Sequence, residues 1–313
     1  MASVKDIRRR IASVKNTQQI TKAMKMVSAA KLRRAQQAIT GARPFAAKLE
    51  EITGRILAEI LASVPGMTAE KQSEALAKLH PLLMVPGERV DDTGTSQPKK
   101  VALVVVGSDR GLCGAYNSNI LKFAVKKRNE LLANGNQVEL FFIGKRVKEF
   151  FVKRAMPGVY FEDVWAGKFT TEKANKIAAQ FVEMFLKGDV DAVEFCFTEF
   201  KSAIALIPQS KQILPLSVSV GEEGPLDVQF IYKPSKEELL ADLLPKQVQT
   251  QVYKCLADSL ASEFGARMTS MDNATKNASE MISRLTLQAN RLRQAAITTE
   301  LMEIIGGAEA LKG

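Results

Sequence analysis

The chain has 313 residues, a net charge of +10, and 46% hydrophobic but only 6% aromatic side chains, enough apolar material for a substantial core. A single histidine, His80, and three cysteines, Cys113, Cys196 and Cys255, exclude a disulfide framework and leave no CxxC pair for zinc. No apolar run approaches the ~20 residues of a membrane span and the basic N-terminus lacks a signal peptide's apolar core, so the chain reads as cytosolic and reduced.

Residues 3 to about 62 read as one long helix. Val4, Ile7, Ile11 and Val14 step by three and four, as a coiled-coil seam requires. The phase then slips, and Ile20, Met24 and Val27 resume it. Gly41 and Pro44 predict a kink, after which Phe45, Leu49, Ile52, Ile56 and Ile60 continue the stripe. Between Met1 and Arg34 ten Lys/Arg stand against one acid, Asp6, a bias that expects an acidic partner. Such a partner is an acidic protein surface, anionic lipid or nucleic acid. Against nucleic acid, no aromatic side chain lies in residues 1–34 to stack on bases.

Residues 63–98 carry turn signals (Val64-Pro65-Gly66, His80-Pro81, Pro86-Gly87) and read as a connector, with a short helix possible at 69–79. At Lys99 the period changes. Val101-Ala102-Leu103-Val104-Val105-Val106 is a continuous β-branched run, expected of a strand buried on both faces of a parallel sheet. A helix around Ile120–Leu132, a strand at Val138–Ile143, a helix at Lys145–Arg154 and a helix near Thr171–Leu186 closed by Gly188 follow. Strands at Val193–Phe197 and Gln212–Val220 complete an α/β domain spanning 99–244. Ser235 is placed to cap a helix at Lys236–Leu244.

From Pro245 to Gly313 good helix formers dominate, and proline suits a first helical position. A helix of about 60 residues at ~1.5 Å each is roughly 90 Å long, too long to bury its stripe in one compact core. Val248, Val252, Leu256 and Leu260 form its first apolar face. Ile282, Leu285, Ala289, Leu292, Ala296 and Thr299 form a thin seam beyond. Two terminal helices flanking a globular middle pair most economically as an antiparallel coil.

The turn Gly107-Ser108-Asp109-Arg110-Gly111-Leu112-Cys113-Gly114 joins a buried strand to a helix, where a doubly wound fold binds phosphate. Its glycine spacing is neither the dinucleotide fingerprint nor a phosphate loop, and Asp109 would repel an anion. A turn shaped for a partner surface fits better, with a nucleotide-dependent α/β enzyme as the alternative. Cys113 at a helix start has no imidazole base but the distant His80, and nothing in the sequence argues for catalysis or a bound cofactor.

Three separated stretches carry a family resemblance. They are Ile11 to Val27 (IASVKNTQQITKAMKMV), the loop Asp109-Arg110-Gly111-Leu112-Cys113-Gly114, and Ile297-Thr298-Thr299-Glu300 followed by Glu303, Gly307 and Ala308. In this order they resemble the gamma subunit of F-type ATP synthases. The resemblance implies an antiparallel coil of residues 1–62 and 245–313, joined through the 63–98 connector to a Rossmann-like α/β domain. It further implies a non-catalytic rotor whose coil turns inside a head of alternating alpha and beta subunits. The base would rest on the membrane c-ring beside the epsilon subunit, peripheral at the cytoplasmic face and not inserted in the membrane.

By the same resemblance, Arg293, Gln294, Thr298 and Glu300 would meet loops of the catalytic subunits. Lys22 and Lys25 would pass acidic, lever-like segments of those subunits, and Phe230-Ile231-Tyr232 would lie close to the membrane ring. The connector is longer than the family's usual link, and the cysteine-containing insert of the chloroplast members is missing.

Overall fold

The computed structural model describes residues 4–62, 79–83, 89–90, 96–97, 99–216, 232–233 and 235–310. It resolves into two compact units, one drawn from Lys31–Ala266 and one from residues up to Ala30 together with those from Arg267 onward.

The larger unit is built on a five-stranded sheet. Its strands are β3 (Lys100–Val106), β4 (Gln137–Ile143), β5 (Val159–Phe161), β6 (Ala192–Phe200) and β7 (Leu206–Leu214), in the order β5-β4-β3-β6-β7. β3 runs parallel to β4 and β6, β5 parallel to β4, and only β7 is antiparallel, paired with β6 as a hairpin. Two residue pairs, β1 (Arg89–Val90) and β2 (Ser96–Gln97), form a separate antiparallel ribbon. The predicted mainly parallel α/β sheet is therefore present. β7 starts at Leu206, ahead of the expected Gln212, because the tight Lys201–Ala205 turn lets the chain pair back at once.

Period-two alternation sorts β3 between two cores. Ala102, Val104 and Val106 face Ile177, Phe181 and Phe185 of α4 (Thr171–Lys187), with Ile56 and Leu57 of α1 (Val4–Ala62) and Leu244, Val248, Val252 and Leu256 of α5 (Lys236–Ala310) in the same cluster. Leu103 and Val105 face Ile120, Leu121 and Ala124 of α2 (Tyr116–Ala133) and Val147 and Phe151 of α3 (Lys145–Val152). With both faces covered, β3 must be apolar throughout, and only Lys100 at its start is exposed.

Helix boundaries follow local chemistry. Gly188 closes α4 in the left-handed conformation at φ 77°. The Ser235 hydroxyl accepts the Glu238 N–H at 3.2 Å, capping α5. That cap starts α5 at Lys236, so Pro245 lies inside the helix and is not its first residue, as the sequence reading had it. α1 likewise continues through Gly41 and Pro44 as one helix. Its buried face in this unit includes Leu32, Ala35, Ile39, Leu49, Thr53, Ile56 and Leu57, whereas Phe45 and Ile52, expected in the stripe, are exposed. The possible helix at 69–78 and the strand end at 217–220 lie outside the described residues.

Candidate partner-facing surfaces

The smaller unit is an antiparallel pair made from the start of α1 and the end of α5. Ile7 is buried, and Ile11 and Val14 half-buried, as the heptad reading requires; Ile282, Leu285, Ala289 and Leu292 supply the other side. The predicted phase slip after Val14 does not occur. Ile20 and Val27 are 60% and 57% exposed, while Thr21 and Ser28 are buried at 8% and 3%. The heptad runs on in step through Gln18, Thr21 and Lys25, because polar partners wait across the seam, and on to buried Ser28, whose hydroxyl donates to the Met24 carbonyl of its own helix at 2.7 Å. Gln18 Nε2 donates to Ser279 Oγ at 2.5 Å, the Thr21 and Thr275 hydroxyls meet at 2.8 Å, and Lys25 Nζ reaches Asp272 Oδ1 at 2.5 Å. An apolar-only search misses this stretch; keeping the 3-4 count through polar residues finds it. Ala296 and Thr299, expected in the seam, are exposed, and the Thr299 hydroxyl turns back to the Ala295 carbonyl at 3.0 Å.

Asp272 also receives Lys276 Nζ at 3.1 Å, one turn along its own helix. The Lys25 hydrogen bond, then that from Lys276, holds the Asp272 carboxyl below the usual carboxylate range. Lys25 thus meets its solvent side with a partner already in place, whereas Lys22 is exposed on the same helix. Lys5, Arg8, Arg9, Arg10 and Lys15 are exposed as well, giving this unit a strongly basic outer face.

Arg293, Gln294, Thr298 and Glu300 all lie on exposed turns of α5. The Thr298 hydroxyl donates to the Gln294 carbonyl at 3.0 Å, so its oxygen stays tied to its own helix. Around them Ile297, Leu301, Met302, Ile304 and Ile305 are 52–70% exposed. The sequence reading did not single out this apolar end. Its signal is a dense run of large apolar residues, Ile297, Leu301, Met302, Ile304 and Ile305, over one broad arc of the helix.

In the larger unit the Asp109–Gly114 loop is knitted to its surroundings. Buried Ser108 donates from Oγ to the Arg110 carbonyl at 2.7 Å and from its N–H to Asn117 Oδ1 at 3.2 Å. Asn117 Nδ2 donates to Cys113 Sγ at 3.2 Å. The Asp109 carboxylate accepts the Lys145 N–H at 2.9 Å at the start of α3. Trp165 donates its indole N–H to the Gly107 carbonyl at 2.8 Å, covering the end of the central strand. Cys113 and Tyr116 pack on Ala266 of α5, and Leu112, at φ 63°, points a 65% exposed side chain outward beside exposed Arg110. The loop therefore anchors sheet to terminal helix from within and displays Arg110 and Leu112 outside.

Of Phe230-Ile231-Tyr232, only Tyr232 lies among the described residues. Its hydroxyl donates to Glu59 at 2.9 Å, and Lys236 contacts the same carboxylate at 2.6 Å. The Lys236 bond first, then that from Tyr232, lowers the Glu59 pKa.

Among the described residues no cluster of three or more His, Cys, Asp or Glu could hold a metal ion, and no helix is long and apolar enough to cross a membrane.

Residues 3–311 match the ATP synthase family. The chain is similar to the ATP synthase gamma chain of Anaeromyxobacter sp. (strain Fw109-5), at 45% identity over 318 aligned positions, and to that of Geobacter sp. (strain M21), at 44% over 313, with each chain covered in full. Its fold resembles a chain of the Euglena gracilis mitochondrial ATP synthase OSCP/F1/c-ring structure, with a TM-score of 0.59 at 16% identity, covering 98% of this chain and 94% of that one. A chain of the Tetrahymena thermophila central stalk and c-ring structure gives 0.51 at 22% identity, with 82% and 99% covered. At such identities the structural likeness speaks for the fold, and the full-length sequence match speaks for descent. The chain belongs to the gamma chain family of ATP synthases.

Proposed function

We propose that the chain is the central rotor of an F-type ATP synthase, coupling ion flow through a membrane c-ring to ATP synthesis or hydrolysis in a head of alpha and beta subunits. The observation that carries this is the antiparallel seam of the two chain ends, with a basic outer face and an exposed apolar end on α5. A helix pair that leaves Ile297, Leu301, Met302, Ile304 and Ile305 uncovered needs a surrounding protein surface. An apolar bearing in the head would cover that end without gripping it through directional bonds. Arg293, Gln294 and Glu300 sit on the same exposed turns and would make the polar contacts with catalytic-subunit loops.

Lys22, Lys25 and the exposed cations before them would face acidic segments of those subunits, where attraction between unlike charges acts over several ångströms without fixed geometry. The Arg110–Leu112 edge of the loop is a further partner surface, and Tyr232 with its neighbours Phe230 and Ile231 would lie toward the c-ring. The epsilon subunit would bind beside the α/β unit, and the whole would be a peripheral assembly on the cytoplasmic face. Nucleic acid is not a partner in this account.

The chain works here without a catalytic site or cofactor of its own. In support, the polar groups of the Gly107–Gly114 turn bond to one another, to Lys145 and to Trp165, so the crevice end of the central strand is closed by the chain itself. His80 accepts the Leu82 N–H on Nδ1 at 3.2 Å, and burial lowers its pKa, which holds it neutral in a local turn. Purification of the isolated chain and of the chain with its neighbours tests the reading. The complex hydrolyses ATP and the isolated chain does not; an isolated chain that turns over ATP contradicts it.

A further inference from the structure

The cross-seam polar contacts sit at successive heptad positions of α1, with apolar positions Ile7, Ile11 and Val14 before them. Partly exposed ion pairs of this kind add little to stability. Apolar side chains at Thr21 and Thr275 would bury more area and hold the helices more tightly. Polar residues at seam positions instead select one alignment over its neighbours.

The alignment they select can be read off. Sliding one helix by a heptad leaves an apolar seam apolar, which by itself discriminates weakly. The same slide would set the Thr21 hydroxyl against Ile282 or Met268, and Lys25 against Ser279 or Gly265, neither of which carries a carboxylate. A shift of a single residue turns a side chain by ~100° around its helix. Register therefore decides where around the pair Lys25 and Lys276 point.

We propose that Gln18, Thr21, Lys25, Asp272, Thr275 and Ser279 form a register key in the seam, and that Asp272 is a positioning residue which fixes the Lys25 and Lys276 ammonium groups for the acidic face of the surrounding subunits. The inference rests on the rotor reading for its second half; the key itself does not. Asp272 accepts both lysines on separate oxygens, Lys25 on Oδ1 and Lys276 on Oδ2. Its side chain is 29% exposed while those of Lys25 and Lys276 are 43% and 70% exposed, so the carboxylate lies inside and the cations outside. The trio carries a net +1 whose place around the shaft is set from across the seam. A torque that slides one helix past the other must break these bonds.

The test uses the full chain in the purified synthase. Spin labels at Lys15→Cys and Arg284→Cys, both exposed positions on opposite helices, report the register, since Cys113, Cys196 and Cys255 are buried. One narrow distance is expected with the native key. Asp272→Lys, which places three cations together, broadens or splits it and lowers ion pumping per ATP hydrolysed. Adding Lys25→Asp restores the distance, because the pair is reformed with its signs exchanged, but not the pumping, because a carboxylate then stands where the Lys25 ammonium faced the acidic surface. Where Asp272→Lys fails to assemble, Asp272→Asn is read in its place, with loss of pumping per ATP at an unchanged melting temperature as the expected outcome.

An unchanged distance in Asp272→Lys overturns the key. A double variant that regains both the distance and the pumping overturns the positioning role. A complex that pumps no ions with the native chain speaks against the rotor reading and leaves the distance result to judge the key alone.

Discussion

The Asp109 carboxylate accepts the backbone N–H of Lys145 at 2.9 Å, joining the loop after β3 to the first turn of α3. The residue at the start of that helix, Gly144, has no side chain with which to cap it. It is glycine because its φ is 104° and an added Cβ would lie 2.5 Å from the Gly107 carbonyl oxygen. Asp109 thus supplies from a distant loop the acceptor that Gly144 lacks, next to the positive end of the helix dipole. Asp109→Ala is expected to lower stability by ~1 kcal/mol, with Asp109→Asn in between. Urea unfolding of the chain checks this; identical midpoints for all three would show that the bond carries no weight.

The cysteines provide a reading of burial. Burial pushes the Cys255 thiol up to about 12 and raises Cys196 further, so neither forms thiolate at neutral pH. Cys113 is 2% exposed. All three are expected to resist iodoacetamide at pH 8 until denaturant is added, followed by mass spectrometry. Fast labelling of Cys255 in the native chain would show that the α5 face against the sheet opens readily.

The Glu59 contacts give a pH signature. Its pKa is lowered in the folded chain, chiefly by the hydrogen bond from Lys236. A carboxylate with a depressed folded value stabilises fully above its unfolded value, near 4.5, and loses that contribution as pH falls through the folded value. Glu59→Gln is therefore expected to lower the melting temperature at pH 7, and the gap to the native chain closes as the pH falls below 4.5 and through the lowered folded value. A gap that persists at low pH would mean that packing, not charge, is lost.

Much of the larger unit was legible because its elements obey local rules. The β3 run, the Gly188 cap and the Ser235 cap all declare themselves within a few residues. β5, only Val159–Phe161, was missed because three residues at an edge carry no periodicity. Pro245 misled because helix formers before it outweigh a ring that removes a single backbone hydrogen bond. The seam was legible where Ile11, Val14, Ile282 and Leu285 mark it, and illegible at Gln18, Thr21 and Lys25, where each position is justified only by a partner some 250 residues away. The same holds for Asp109, whose repulsion of a phosphate was a sound inference about charge but whose actual partner, the Lys145 N–H, is visible only in the fold.

Adjacent substitutions separate seam from surface. Leu292 is half-buried and Arg293 exposed. Leu292→Lys sets a charge in the apolar seam and is expected to cost ~1–3 kcal/mol. Arg293→Ala is expected to leave melting unchanged and to weaken assembly or coupling in the synthase. Thermal unfolding of the chain and ATP synthesis by the complex read the two effects; equal melting losses would place the seam on the wrong face.

Rotation is the most direct test of the central claim. With the head fixed to a surface and a probe attached to the chain's α/β unit, added ATP is expected to turn the probe in one direction, stopping when hydrolysis is inhibited. Steady ATP hydrolysis by the intact complex with the probe stationary would contradict the account.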